Sequence, residues 1–98
     1  MIEQKKDISG TKVEKEAISG LHFPDEEVLL SKDEIKVRAS NLERAMKLGN
    51  IEHNKIKIVF EDDKGVKEVE TTVWGVTDKR VILKQGIHIP INRIYKAV

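Results

Sequence analysis

The chain has no cysteine, which excludes disulfide scaffolds, thiolate metal sites and thiol nucleophiles. No apolar run exceeds three residues, as in Val28-Leu29-Leu30. A membrane span needs about 20 such residues, and the apolar region of a signal peptide is also long, so no membrane partner is expected and the expected compartment is the cytoplasm. Aromatic residues make up only 4% of the chain and proline occurs twice. The formal net charge of +1 gives no global attraction to nucleic acid or membrane. Phosphate-cradling loops and hydrolase elbows of the Gly-x-Gly-x-x-Gly, Gly-Lys-Ser/Thr and Gly-x-Ser-x-Gly kinds are absent.

What remains is 98 residues, 36% charged and 39% hydrophobic, enough for one domain. The small net charge conceals strong segmentation: residues 1–34 sum to −4, residues 35–59 to +4, residues 60–76 to −3 and residues 77–98 to +4. Residues 1–20 are polar, with scattered single apolar residues and two glycines. They bury too little to offset the entropy of ordering, which predicts a mobile tail before a single domain over 21–98.

Ser31-Lys32-Asp33-Glu34 has the capping-box form. A helix over 32–48 is expected to follow, with Ile35, Ala39, Leu42, Ala45 and Met46 on its inner stripe and Gly49 as its left-handed stop. From Lys55 the period changes to two. Ile56, Ile58 and Phe60 alternate with charged residues, which predicts a half-buried strand over 55–61. Asp62-Asp63-Lys64-Gly65 is turn chemistry, read as solvated, with Gly65 taking a positive φ. A return strand over 66–76 is expected to bend at Gly75, followed by strands over 80–84, 87–90 and 94–98. The alternation of Ile87, Ile89, Ile91 and Ile94 slips by one residue, as a 3₁₀ turn over 91–93 produces.

A helix followed by short hairpin connections and such a turn describes a mainly β domain, a small five-stranded antiparallel barrel. The order of elements over 31–98 resembles the Sm-like family, with its SH3-like barrel behind an N-terminal helix. The resemblance rests on Glu68-Val69-Glu70-Thr71-Thr72-Val73-Trp74-Gly75-Val76-Thr77-Asp78, on Arg80-Val81-Ile82-Leu83-Lys84 and on Ile89-Pro90-Ile91-Asn92-Arg93-Ile94. It departs from the family in having Thr71 where a mid-strand glycine is common. Pro90-Ile91-Asn92 stands where the bacterial RNA-chaperone branch carries Tyr-Lys-His, and Thr77-Asp78-Lys79 lacks a stacking aromatic. The resemblance implies a homo-oligomeric ring, built by pairing the fourth strand of one subunit with the fifth of the next, and single-stranded RNA held by two turns.

On that basis Lys79, Arg80, Asn92 and Arg93 are candidate nucleic-acid-binding residues, within a basic set that also includes Lys84 and Lys96. Lys and Arg supply salt-dependent phosphate contacts; their alternative use is protection of strand edges. Val59, Trp74, Ile82 and His88 are candidate interface residues, because apolar side chains on an outward face require a cover, either the helix or another subunit. His22, His53 and His88 have no metal-ligand spacing, so neither a metal nor another cofactor is expected, and no residue set supports catalysis. The leading function is a non-catalytic binding module for single-stranded RNA. The alternative is a protein-protein adaptor or structural small barrel without a nucleic-acid role.

Overall fold

The computed structural model describes residues 10–98. A two-residue strand β1 (Thr11–Lys12) and a single helical turn α1 (Lys15–Ile18) come first, then the long helix α2 (Lys32–Glu52). Six strands follow: β2 (Ile56–Asp62), β3 (Gly65–Thr71), β4 (Val73–Val76), β5 (Arg80–Leu83), β6 (His88–Pro90) and β7 (Ile94–Ala97). Two 3₁₀ turns, Lys84–Gly86 and Ile91–Arg93, flank β6, the second where the slip in isoleucine spacing predicts it. Among the described residues, no helix is long and apolar enough to cross a membrane.

The strands form two sheets, ordered β1-β3-β2-β7 and β4-β5-β6. In the first, the β2–β3 hairpin pairs Ile58 with Val69 and Asp62 with Gly65. Its turn closes on Asp62, whose Oδ1 accepts from the amides of Lys64 and Gly65, both at 3.1 Å, while Gly65 takes a φ of +148°. The turn is not fully solvated as expected: Asp62 is 1% exposed and pairs with Lys67 Nζ at 2.7 Å. Burial alone raises its carboxyl pKa, but the Lys67 ammonium and the two amides outweigh that and hold it low.

The expected return strand over 66–76 is two strands, broken at Thr72, and the irregularity expected at Gly75 is a bulge between Val73 and Gly75. Thr72 leaves the ladder and its carbonyl accepts from the Lys84 amide at 3.1 Å. The expected closed barrel is likewise corrected, since no ladder among the described residues joins β6 to β7. Nor is the domain mainly β. Among the described residues helix and strand each account for 35%, the helical share comprising α1, an α2 that runs further than predicted, and the two 3₁₀ turns.

Helix α2 starts as its capping box dictates, with Ser31 Oγ accepting from the Glu34 amide at 3.1 Å. Its buried stripe is Arg38, Leu42, Ala45 and Gly49, whereas Ala39 faces solvent. Gly49 is not the stop. His53 takes the left-handed conformation, with a φ of 56°, and Gly49 instead lets the helix lie against β4. A Cβ at Gly49 would stand 2.2 Å from the Val73 carbonyl oxygen.

The expected tail over 1–20 is corrected for residues 10–20, while Met1–Ser9 lie outside the described residues. β1 adds in parallel to the edge of β3, pairing Thr11 with Lys67, and the Val13 amide donates to the Glu68 carbonyl at 2.9 Å. Ile18 is 1% exposed and joins the core. One buried isoleucine, worth roughly 1.5–3 kcal/mol, acts together with hydrogen bonds to a strand edge, which apolar spacing does not reveal. That core is Ile58, Phe60, Val69, Val73, Val81, Leu83, Ile89 and Ile94 from the two sheets, capped by Leu42 and Ala45 of α2.

Candidate ligand-binding cleft

Two turns build the best-defined concavity near the predicted residues. The β4–β5 turn is fixed by Thr77, whose hydroxyl accepts from the amides of Lys79 at 3.2 Å and Arg80 at 2.9 Å. The 3₁₀ turn after β6 is brought beside it, with the Ile91 amide donating to the Lys79 carbonyl at 2.9 Å. Between them, and against the segment 25–28, lies a cleft of about 460 Å³. Lys79, Arg80 and Asn92 meet there with Arg38, Glu27 and Asp25.

Lys79 and Arg80 are exposed, and their side chains make no hydrogen bond or ion pair among the described residues. Asn92 is half-buried and serves the framework: its Nδ2 donates to the Asp25 carbonyl at 2.5 Å, and its own carbonyl accepts from the Val28 amide at 2.9 Å. Arg93 is corrected from binding residue to structural one. It is 5% exposed, with Nε donating to the Glu61 carbonyl at 3.0 Å and Nη1 to the Glu26 carbonyl at 2.8 Å. A guanidinium that already donates to two backbone carbonyls has fewer donors left to offer a phosphate. The wider basic set is dispersed as well: Lys84 lines a separate cavity beside the outer face of β2 and β3, and Lys96 borders a groove at the start of α2.

The residue that sequence reasoning missed is Arg38. It is 4% exposed; Nη1 donates to Glu27 Oε2 at 2.6 Å and to the Ile94 carbonyl at 2.9 Å, and Nη2 donates to Glu27 Oε1 at 2.7 Å. Its Nε is buried without a partner. The Arg38 guanidinium holds the Glu27 carboxyl below the usual carboxylate range, against a smaller opposing effect of burial. A signal for Arg38 does exist, since it stands four residues before Leu42 on the inward stripe. A cation on that stripe needs a counter-charge, which only the fold brings near.

The four candidate interface residues divide. Ile82 pairs with His88 across β5 and β6, and Gly75 pairs with Ile82, so these positions share the outer face of the second sheet. Trp74, the extra residue of the bulge opposite Ile82, is 50% exposed beside them. Val59 does not belong to this patch. It lies in the other sheet, fully buried, in register with Glu68 and Lys96. Half of the Trp74 surface stays open to solvent within the described chain.

No group of three or more His, Asp or Glu side chains able to hold a metal ion exists among the described residues. Chemically, the cleft offers hydrogen-bond donors and two exposed cations against three carboxylates, those of Asp25, Glu27 and Asp78. Comparison of the chain with family models, with curated proteins and with solved structures found no match.

Proposed function

We propose that this chain is a non-catalytic small-barrel module that binds single-stranded RNA at the cleft between the β4–β5 turn and the 3₁₀ turn after β6. The observation that carries the reading is the Ile91–Lys79 backbone hydrogen bond of 2.9 Å. It unites the two turns that the Sm-like resemblance implicates and leaves Lys79 and Arg80 free at the rim. The order of strands supports the same reading: with β3 and β4 taken as one bent strand interrupted at Thr72, the sequence β7-β2-β3/β4-β5-β6 is that of a five-stranded small barrel left open between β6 and β7. Those two open edges suit pairing between copies, so the module is a homo-oligomer in this reading.

Phosphate contacts by lysine and arginine weaken steeply with salt. Fluorescence polarisation with a labelled oligouridylate, at two salt concentrations, is expected to show binding that weakens as salt rises and that drops in Lys79→Ala and Arg80→Ala. Arg93→Lys is expected to lower stability instead, since it loses the planar fork to the Glu61 and Glu26 carbonyls. Absence of binding at low salt rejects the reading. A specific observation favours a second one, recruitment of a protein partner through the Trp74 face: Trp74 is 50% exposed and belongs to a contiguous outer patch with Ile82 and His88.

A further inference from the structure

Arg38 is held rigidly but incompletely satisfied. A guanidinium has five N–H donors in a planar fork. Here Glu27 grips it end-on through Nη1 and Nη2, the Ile94 carbonyl takes a second contact at Nη1, and the Nε–H stays buried and unbonded. Leaving a buried donor without an acceptor is unfavourable. Held end-on, the carboxylate aims its two oxygens at Nη1 and Nη2 and so leaves Nε unserved. A phosphate, with three or more oxygens in a tetrahedron, can meet the Nε and Nη2 side of the fork while keeping Nη1 supplied.

The two partners differ in how firmly they are placed. Arg38 lies on the buried stripe of a 21-residue helix. Glu27 is on a segment without helix or strand, its side chain 32% exposed; its Oε2 also accepts from the Leu29 amide at 3.1 Å, and its backbone neighbours are held by Asn92 and Arg93. The receptor is therefore the more deeply placed of the two and its occupant the more exposed. Charge points the same way. Arg38, Lys79 and Arg80 face Asp25, Glu27 and Asp78 across the cleft, so withdrawal of Glu27 leaves an excess positive charge that an entering phosphate neutralises.

We propose that Arg38 is the receptor for a phosphate group, and that Glu27 is its resident stand-in, displaced when a phosphate-bearing ligand enters between Lys79 and Arg80. The inference rests on the RNA reading for the identity of the ligand, though not for the anion site itself. Glu27 then acts as a built-in competitor. Only ligands that also engage Lys79 and Arg80 overcome an intramolecular carboxylate present at high effective concentration, which favours a chain of phosphates over a single one.

The test uses the full chain with two probes, an oligouridylate and inorganic pyrophosphate. The Arg38 Nε–H resonance is followed by ¹⁵N-resolved NMR in the wild type, and affinity is measured in Glu27→Gln and Arg80→Ala. Both probes are expected to shift the Arg38 resonance. Glu27→Gln, which replaces a charge-assisted clamp with a neutral one, is expected to bind about tenfold more tightly, and Arg80→Ala more weakly. An oligonucleotide that binds while the Arg38 resonance stays still, with Glu27→Gln no tighter, overturns the displacement and leaves the RNA reading standing. Pyrophosphate shifting Arg38 while the oligonucleotide fails to bind supports the anion site and rejects RNA. If neither probe moves the resonance, the site is refuted, and the wild-type spectrum decides this even where Glu27→Gln folds poorly.

Discussion

Glu61 shows how one carboxylate organises its surroundings. Its Oε1 accepts from the Tyr95 hydroxyl, its Oε2 lies 3.9 Å from Arg93 Nη2, and its backbone carbonyl takes Arg93 Nε. Burial, then the hydrogen bond and negative charge of Glu61, push the Tyr95 phenol up to about 12, with the Arg93 charge opposing. The phenol is thus protonated in the fold at a pH where the unfolded chain, at its ordinary value of 10.0, has begun to ionise. Stability from this group is complete below pH 10 and is lost as pH rises towards 12. Urea denaturation across that range is expected to show a steeper alkaline loss in the wild type than in Tyr95→Phe, which has no proton to release there. Equal slopes would mean that Tyr95 titrates normally. Arg93, on the same carboxylate, shows why site residues are hard to read from sequence: an arginine on a turn looks available until carbonyls 32 and 67 residues away take its donors.

At the scale of elements, the approach of α2 to β4 depends on Gly49. Alanine there gains up to about 1 kcal/mol of helix propensity. Against that, its Cβ would stand 2.2 Å from the Val73 carbonyl oxygen and 3.2 Å from Thr72 Cγ2. Backbone must move, at a cost of roughly 1–3 kcal/mol typical of overpacking. Gly49→Ala is expected to lower unfolding free energy by about 1–2 kcal/mol in urea despite the better helix former; a gain would mean that the helix is not seated against β4. The sequence made the capping box at Ser31, the hairpin at Asp62–Gly65 and the 3₁₀ turn at Ile91–Arg93 legible, because each depends on residues within a few positions. Gly49 was misread as a stop because a glycine required for close packing and one required for a left-handed turn look alike without the partner strand. Residues 10–20 were misread for the same reason, since their order comes from the edge of β3. That Lys79, Arg80 and Asn92 sit on two turns was legible, because turn chemistry is local, whereas the Arg38–Glu27 clamp joins α2 to an irregular segment 11 residues earlier and needs the fold to appear.

Among the described residues the sheet edges of the molecule meet different fates. The β3 edge is covered by β1, while β6 and β7 each have a ladder on one side only. On β6 the Leu83 amide bonds the Ile87 carbonyl at 2.7 Å. The next pair, Ile82 with His88, is therefore a non-hydrogen-bonded one and turns the His88 N–H away from β5. On β7 the Lys57–Val98 pair exchanges both bonds at 2.8 Å, so Ala97, opposite Ile58, turns its N–H outward by the same alternation. Each edge thus presents outward polar groups that need a partner, water or another strand. Joining β6 of one copy to β7 of the next is a heterologous contact, and such contacts close into rings only when the rotation between copies permits it. His88→Pro removes the outward donor at an exposed position without touching the β5 ladder. Multi-angle light scattering is expected to find an oligomer for the wild type and a monomer for His88→Pro, with unchanged circular dichroism. A wild type that stays monomeric at high concentration would leave three- and four-residue edges, one of them ending in Pro90, as deliberately blunted. The Trp74 face would then be the surface left to meet a partner.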